Sequence, residues 1–433
     1  MNASILNELR NIVGKDYVMS AKEDMIIYAS DATMFDHWPD AVVQPASRDE
    51  VVGIVKVAAK NNIPLTGRGA GTCLSGGAIP LKGGIVVDMA RMDRIRKIDA
   101  ANKIAIVEPG VITFELASQA TKLGLLYPPD PSSWKESTLG GNVAECAGGA
   151  VDGEMCGPDW TMLITGSEGT LGLITAITLR LVPAPVTKKT MMAIYERLED
   201  AAKTVSVTMA SGIIPTTLEL MDNMAIVATE KAVKIGLPVQ AGGLLLIEID
   251  GMPSTVEENA KRVSDICKEC GALEVKVAQT AAEAESLWVA RRGVAKAFGQ
   301  IAPCKFAEDA TVPRSLVPLL VEKSLEMQKK YNIPILIVGH AGDGNMHPTI
   351  MFDKRDKDAA ARAEQALDEV HLVTLELGGT LSGEHGIGFA KAPYLKAETG
   401  PVGYKMGQDV KAVLDPAGIM NPGKMFNYEG ALH

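Results

Sequence analysis

Two short glycine-rich segments carry three of the six histidines in the chain. His340 and His347 enclose the first segment, and Glu384 and His385 lie next to each other in the second. Two neutral imidazoles and one carboxylate form a ligand set that leaves coordination positions open, and such sets hold Zn²⁺, Mn²⁺ or Fe²⁺. The residues therefore predict a divalent metal site with His340, His347 and Glu384 as ligands. The alternative is that these are ordinary turn and core histidines.

The elements around the first segment must bring its two histidines together. Residues 333–338 form an apolar run and predict a buried strand, and residues 348–352 predict another. A tight turn between two such strands makes a hairpin, so both imidazoles are expected at adjoining strand ends.

Three further loops are rich in glycine, and they lie in the first half of the chain. Residues 67–72 follow a short predicted strand at 63–66, and residues 140–145 and 166–172 contain the other two loops. Clustered backbone N–H groups can bind an anion. The first loop lacks the Gly-Lys-Ser/Thr of a P-loop and does not open a helix as a Rossmann loop does. We therefore expect a pyrophosphate held by backbone amides in a fold of another type.

Composition limits the class of protein. The chain has 433 residues with 47% hydrophobic content and mean hydropathy +0.11, which predicts a globular protein of two or three domains. Its formal charge of −10 argues against nucleic acid as a partner. The N-terminus lacks a targeting pattern and the apolar runs are too short for a bilayer, so a cytoplasmic protein is expected. Cys267 and Cys270 have no second cysteine pair, so no iron–sulfur cluster is predicted.

Periodicity outlines the order of elements. A strand is predicted at 41–45, and the capping box from Ser47 to Glu50 predicts a helix that runs to about residue 60. Strands are predicted at 85–89, 94–98, 104–107 and 173–181, with a helix at about 112–123. Past residues 183–185 the pattern becomes an α+β layer, with helices near 198–209, 254–270, 281–298, 314–330 and 357–377.

Seven motifs, taken in order, resemble one family. They are residues 64–72, 127–133, 140–145, 166–172, 340–347, 383–386 and 421–424. Together they look like the FAD-linked D-2-hydroxyacid dehydrogenases, a family that includes the catalytic subunit of glycolate oxidase and the D-lactate and D-2-hydroxyglutarate dehydrogenases. The resemblance covers about residues 40–426.

The resemblance implies an α+β fold with three parts. These are an FAD-binding domain of the vanillyl-alcohol-oxidase (PCMH) type at 1–185, a ferredoxin-like substrate and cap domain with the metal site at 186–390, and a C-terminal segment at 391–433 that returns to the FAD domain. The FAD residues that it implies are Pro64, Gly67, Arg68, Gly69, Ala70, Gly71, Thr72, Gly76, Pro129, Gly140, Gly141, Asn142, Ala144, Glu168, Gly169, Gly172 and Asn421.

The resemblance also implies an activity. A small D-2-hydroxy acid, D-lactate or glycolate, would be oxidised to the 2-oxo acid with hydride passing to FAD. His340, His347 and Glu384 match the metal ligands, His385 matches the active-site base, and Arg291 lies where the family places an arginine for the substrate carboxylate. Electrons would then pass to an iron–sulfur subunit, an electron-transfer flavoprotein or a quinone.

One segment departs from the family pattern. Between Gly149 and Gly166 the family usually carries several dozen more residues, and residues 152–154 could be the remnant of a hairpin turn. A lost strand leaves neighbouring edges unpaired unless something covers them. Two alternatives therefore stay open, a non-catalytic FAD- and metal-binding subunit of a hydroxyacid-oxidising complex, and a flavin-independent metallohydrolase. The three glycine loops count against the second.

Overall fold

The computed structural model describes residues 1–147 and 159–428, and it divides the chain into two compact units. Unit 1 is Met1–Ala184 together with Glu384–His433, and unit 2 is Pro185–Gly383. The chain returns to unit 1 at Glu384, earlier than the predicted 390/391 boundary, because the amides of Ile387 and Gly388 hydrogen-bond to Glu168 of unit 1. Residues 152–154, where a hairpin remnant was predicted, lie outside the described residues.

The first stretch of unit 1 alternates short strands with helices. Its strands are β1 Val18–Met19, β2 Ala41–Val43, β3 Leu65–Arg68, β4 Ile85–Asp88, β5 Ile95–Asp99, β6 Ile104–Val107, β7 Leu125–Leu126, β8 Ile177–Arg180 and β9 Val182–Pro183. Its helices are α1 Ala3–Val13, α2 Lys22–Met25, α3 Arg48–Asn61, α4 Thr113–Thr121, α5 Leu139–Glu145 and α6 Trp160–Ile164.

A small, mostly parallel sheet carries the first glycine loop. Its strand order is β1-β2-β4-β3, with β2 and β3 both parallel to β4 and with β1 antiparallel to β2. Strand β4 is buried throughout, as expected for a parallel strand covered on both faces. The predicted N-cap is confirmed, since Glu50 N–H donates to Ser47 Oγ. The Glu50 carboxylate reaches one residue further back than in a standard capping box, and its Oε2 accepts from Ala46 N–H. The last two residues of strand β3, Gly67 and Arg68, are also the first two residues of the glycine loop.

The second sheet of unit 1 has the order β5-β6-β8 and is antiparallel. The predicted hairpin of β5 and β6 is confirmed. The strand predicted from residue 173 was too long, because regular pairing of β8 starts only at Ile177. At the other end of β8, Arg180 pairs with Ile104. Residues 171–176 instead leave the third glycine loop without regular structure.

Unit 2 is an α+β layer, as predicted. Its strands are β10 Thr187–Tyr195, β11 Thr217–Asp222, β12 Gly243–Gly251, β13 Ala272–Val277, β14 Cys304–Ala307, β15 Ala310–Thr311, β16 Ile335–His340 and β17 Asn345–Phe352. Its helices are α7 Leu198–Ala210, α8 Asn223–Val233, α9 Pro253–Glu269, α10 Ala281–Ala297, α11 Val317–Tyr331 and α12 Lys357–Glu376. Helix α8 was not predicted.

One antiparallel sheet organises unit 2. Its order is β13-β10-β12-β11-β16-β17-β14, and β15 pairs with β17 off this path. The predicted hairpin around the first histidine segment is β16 and β17, which pair His340 with Asn345 and Val338 with His347. Because side chains alternate along a strand, this register puts both histidines on one face of the sheet.

The returning segment of unit 1 contains the last helix, α13 Ala392–Leu414, which was not predicted and which kinks at Gly400, where φ is 68°. Beyond it, Asn421 and Lys424 are almost fully buried and tie the segment to the glycine loops. Within the residues that the structure describes, no helix is long and apolar enough to cross a membrane.

Candidate functional site

The three glycine-rich segments of unit 1 line one cavity that is partly open to solvent. Most of the predicted FAD residues lie on its wall. They are Gly67, Arg68, Gly69, Ala70, Gly71, Thr72, Gly140, Gly141, Asn142, Ala144, Glu168, Gly169 and Gly172. The second segment, predicted as a loop at 140–145, forms helix α5 (Leu139–Glu145) in the structure, with Thr138 as its N-cap. The three segments are separated by up to a hundred residues of sequence, and they come together around this cavity, which we call the cradle.

The glycines of the cradle mark where backbone must approach its neighbours. A Cβ at Gly140 would lie 2.5 Å from Pro109 Cβ and 2.8 Å from Pro109 O. A Cβ at Gly69 would lie 2.1 Å from Thr138 Oγ1, and Gly71 adopts φ of 73°. Side chains at these positions would collide with Pro109 and Thr138 and distort the wall of the cavity. This surface fits a long phosphate-bearing cofactor, which needs close contact with N–H groups.

Four predicted FAD residues are not on the cradle wall: Pro64, Gly76, Pro129 and Asn421. Pro64 precedes β3, and its carbonyl accepts from Ile85 N–H. Pro129 is half-buried in an irregular stretch. Gly76 has φ of 83°, and its carbonyl accepts from Lys424 Nζ at 2.7 Å.

Asn421 holds the loops together from behind. Its Nδ2 donates to Gly77 O at 2.9 Å and to Glu168 O at 2.7 Å, which joins the first and third glycine loops. Lys424 Nζ donates to the carbonyls of Gly76, Gly77 and Ile79 at 2.7–2.8 Å. Sequence reasoning included the motif of Lys424 but gave that residue no role.

Two charged side chains of the cradle are occupied by structural contacts. Arg68 donates to Ser30 O at 2.8 Å and to Ile27 O at 2.9 Å, which fixes the N-terminal segment against the loop. Glu168 accepts from the amides of Ile387 and Gly388 at 2.6 and 2.7 Å. Both residues therefore shape the cradle through their own partners.

In unit 2, the two histidines of the hairpin have ring centroids 5.3 Å apart and perpendicular planes. His340 Nδ1 lies 2.6 Å from Glu219 Oε1, and His347 Nδ1 lies 3.0 Å from Glu308 O. Nδ1 of each ring thus faces an acceptor, so Nε2 carries the lone pair that a metal needs. Such hydrogen bonds orient histidine ligands in metal sites.

Glu219 links His340 to the predicted substrate arginine. It lies opposite His340 in the pairing of β11 with β16, and its Oε2 accepts from Arg291 Nε at 2.5 Å. Burial alone would raise the pKa of Glu219, but the Arg291 guanidinium and the His340 ring outweigh it and lower that pKa to about 2. Glu219 therefore stays ionised and holds both side chains.

Arg291 projects from α10 with a side chain that is 14% exposed. Only its Nε is used by Glu219, and within the described residues its two Nη atoms donate to no protein group. An arginine fork with two such nitrogens can bind a carboxylate.

Two further polar residues of unit 2 accompany His347, and the sequence did not identify either of them. Asp309 Oδ1 lies 3.8 Å from His347 Nδ1, and Asp309 Oδ2 accepts from Ser382 Oγ at 2.8 Å. Asp309 and His347 offer ligand atoms within 4.8 Å of each other. Asn345 Oδ1 is buried and accepts no hydrogen bond from a described residue. An oxygen in that state fits a site that takes a polar ligand.

Glu384 and His385 begin the returning segment of unit 1, with Glu384 Oε1 3.8 Å from His385 Nε2. The preceding residue, Gly383 of unit 2, is packed so tightly that a Cβ there would lie 2.3 Å from Thr311 Oγ1 and 2.7 Å from Asn345 Nδ2. Consecutive Cα atoms are about 3.8 Å apart. The peptide bond alone therefore keeps the Glu384 backbone next to Gly383.

Comparisons with known proteins match both parts of the chain. The family described as "FAD linked oxidases, C-terminal domain" matches residues 184–425, and the one described as "FAD binding domain" matches residues 39–156. Glycolate oxidase subunit GlcD of Bacillus subtilis is 40% identical over 98% of this chain and 96% of its own length. D-lactate dehydrogenase of Anaerostipes hadrus is 34% identical over 89% of each chain.

Solved structures show the fold. A 4-ethylphenol oxidase from Gulosibacter chungangensis superposes with a TM-score of 0.80 at 18% identity, covering 98% of this chain and 96% of its own. A p-cresol methylhydroxylase with substrate bound gives 0.77 at 17% identity with the same coverage. These likenesses confirm the predicted α+β fold with an FAD-binding domain of the PCMH type. The shortening between Gly149 and Gly166 stays a prediction.

Proposed function

The chain belongs to the family of FAD-linked oxidases, and on that premise we propose that it oxidises a small D-2-hydroxy acid, D-lactate or glycolate, to the 2-oxo acid. The relatives named glycolate oxidase subunit and D-lactate dehydrogenase support this substrate class. The observation that carries the proposal is the cradle, which glycines of all three segments line.

FAD is the proposed cofactor of unit 1, and when bound it supplies a two-electron acceptor. The backbone of Gly67 to Thr72 would hold its phosphates, and Gly140, Gly141 and Asn142 of helix α5 would line it. Asn421 and Lys424 hold the backbone next to these segments through hydrogen bonds to its carbonyl oxygens.

His340, His347 and Glu384 are the proposed ligands of a divalent metal, which when bound acts as a Lewis acid toward the substrate oxygens. Three observations support the set. The two imidazoles share one face of the sheet, each Nδ1 faces an acceptor, and Glu384 directly follows the tightly packed Gly383. Asp309 is a further candidate ligand beside His347. Ligands of this type suit Zn²⁺, Mn²⁺ and Fe²⁺.

His385 is the proposed base, and Arg291 is the proposed partner of the substrate carboxylate. A base positioned at the substrate hydroxyl typically contributes about 10²- to 10⁴-fold to turnover. The two Nη atoms of Arg291 match the two oxygens of a carboxylate, while Glu219 fixes the guanidinium through Nε. Arg291 would therefore orient the acid, and His385 would take its proton.

Electrons must leave for an acceptor, which we propose is an iron–sulfur subunit, an electron-transfer flavoprotein or a quinone. Two relatives carry the word "subunit" in their names, which supports a partner protein. In the part of the chain that the structure describes, Cys267 and Cys270 are both buried and no cysteine lies in a group that could hold a metal.

An anaerobic visible spectrum of the purified protein tests the proposal. A flavin band that bleaches on addition of D-lactate or glycolate is the expected result, and metal content is measured on the same sample. A protein that holds metal but takes up no FAD would contradict it. A flavin that neither acid reduces would leave only a binding role for the chain.

A further inference from the structure

A cluster of ionisable groups surrounds Gly77 on the wall of the cradle. A Cβ at Gly77 would lie 3.2 Å from Cys73 Sγ, 3.3 Å from Glu168 Oε2 and 3.4 Å from Glu145 Oε1. All three residues line the cavity. They come from three separate glycine-rich segments, Glu145 as the last residue of helix α5, and neither Cys73 nor Glu145 belongs to the predicted FAD residues.

The carboxyl groups in and near this cluster differ in how many hydrogen bonds they accept. Glu168 accepts from two backbone amides, and Asp31 accepts from Thr33 N–H at 2.9 Å and from Thr33 Oγ1 at 2.6 Å. Among the described residues, the Cys73 thiol is the one side-chain donor beside Glu145, and its Sγ also lies 3.3 Å from Ser75 Oγ. A carboxylate needs such donors when it is buried.

Lys424 lowers the pKa of Glu145 without forming an ion pair with it among the described residues. Lys424 directs its Nζ at the carbonyls of Gly76, Gly77 and Ile79 and at Asn421 Oδ1. Burial raises the pKa of Glu145 most, the Cys73 thiol and Lys424 lower it, and Glu168 and Asp31 raise it, with a result of about 8. Burial also raises the pKa of Cys73, which therefore stays a thiol.

We propose that Glu145 is a protonated carboxyl group that donates its O–H hydrogen bond to FAD in the cradle. The inference rests on the proposed function, since it requires FAD in this cavity. Carbonyl oxygens and ring nitrogens of a flavin are acceptors, and a neutral acid can donate to them where a carboxylate would repel them. A buried acid kept neutral near pH 7 is an established way to stabilise negative charge that develops in a site.

FAD affinity as a function of pH tests this. Apoprotein prepared from the holoenzyme is titrated with FAD between pH 6 and 9, and binding is followed by flavin fluorescence. Wild-type Kd should be constant below about pH 8 and should rise toward tenfold per pH unit above it. Glu145→Gln keeps a donor of similar size, so its Kd should not depend on pH over this range. Glu115→Gln, an exposed glutamate of the same unit, should keep the wild-type profile.

A second variant removes the hydrogen-bond donor while keeping a side chain of similar size. Glu145→Leu has no donor, so it should bind FAD more weakly at every pH and should lower the midpoint potential of bound FAD. The shift is about 30 mV for each tenfold loss of affinity for reduced relative to oxidised FAD. An unchanged potential in this variant overturns the inference.

The outcomes keep the inference apart from the proposed function. If the wild-type protein binds FAD and is reduced by D-lactate or glycolate, but Glu145→Gln keeps the wild-type pH profile, only the role of Glu145 is wrong. If Cys73→Ser abolishes the pH dependence and Glu145→Gln does not, the titrating group is the thiol. If the wild-type protein binds no FAD at any pH, the proposed function and the inference both fail.

Discussion

Glu219 Oε1 lies 2.6 Å from His340 Nδ1, on the strand directly opposite, while the other oxygen of the same carboxylate holds Arg291. One buried anion thus orients both a proposed metal ligand and the proposed substrate arginine. Carboxylates in this position raise the basicity of a histidine ligand.

Glu219→Gln should therefore weaken metal binding about 10- to 100-fold, because the amide cannot supply a full negative charge to His340. Metal affinity is measured by competition with a chelator of known affinity. Glu274→Gln, an exposed glutamate of β13, is the control and should bind metal as the wild type does. Equal affinity of the Glu219 variant and the control would remove Glu219 from the metal site.

His385→Ala should lower turnover about 10²- to 10⁴-fold and leave the visible spectrum of bound flavin unchanged. The reason is that the proposed base is lost while the cradle residues stay in place. Steady-state oxidation of D-lactate or glycolate gives the rate, and the spectrum gives the flavin content. Wild-type turnover in this variant would show that another group takes the proton.

Gly140→Ala should reduce FAD occupancy, because the new Cβ would meet Pro109 Cβ at 2.5 Å and Pro109 O at 2.8 Å. Overpacking of this kind costs roughly 1–3 kcal/mol and pushes α5 away from the cradle. The flavin-to-protein absorbance ratio checks it. Gly299→Ala introduces a Cβ with no atom within 4 Å and should retain full flavin. The same ratio in both variants would mean that the wall tolerates the shift.

Lys424→Met should destabilise unit 1 by about 3 kcal/mol, since three buried carbonyls lose a charged donor together. Denaturant unfolding of the variant is compared with that of Lys396→Met, an exposed lysine of α13. A midpoint equal to that of the control variant would argue against a structural role for Lys424.

The pH dependence of stability should report Glu145. Its pKa rises from 4.5 to about 8 on folding, so its contribution to stability is fully present below about pH 4.5 and is lost as pH rises through 8. The unfolding free energy of the apoprotein should therefore fall across this window. In Glu145→Gln the slope should be smaller, and identical slopes would mean that the carboxyl is ionised in the folded state.

Local signals in the sequence were enough for the cradle and the hairpin. The glycine-rich segments, the N-cap at Ser47 and the apolar run at residues 333–338 are each recognised from a few neighbouring residues. The structure has a loop at 67–72, the N-cap and the hairpin, but residues 140–145, predicted as a loop, belong to helix α5. The start of the strand at Ile177 was missed because residues 173–176 are mostly apolar without being paired. The pattern of apolar residues indicates which side chains are buried, but it does not indicate which backbone groups pair in a sheet.

Residues that reach the site from distant parts of the chain could not be found from local signals. Glu219 reaches His340 across 121 positions of sequence, and Lys424 reaches Gly76 across 348. Asp309 is one of many acidic residues and nothing in its neighbours distinguishes it, while Glu145 ends the motif at 140–145 but was given no role. These residues reach their positions through the strand order of the sheet and through the C-terminal segment that packs back onto unit 1. Both depend on long-range packing, which a local sequence pattern does not reveal.

The way Asn421 and Lys424 close the cradle has a consequence for biosynthesis. The loops that they support are finished by Gly172, but the two anchors emerge from the ribosome about 250 residues later, some 12 to 50 s at ordinary elongation rates. Until then the first loop and the third lack their bridge. The nascent chain must therefore complete unit 2 before unit 1 can hold its cofactor, which makes flavin loading a late event in the life of each molecule.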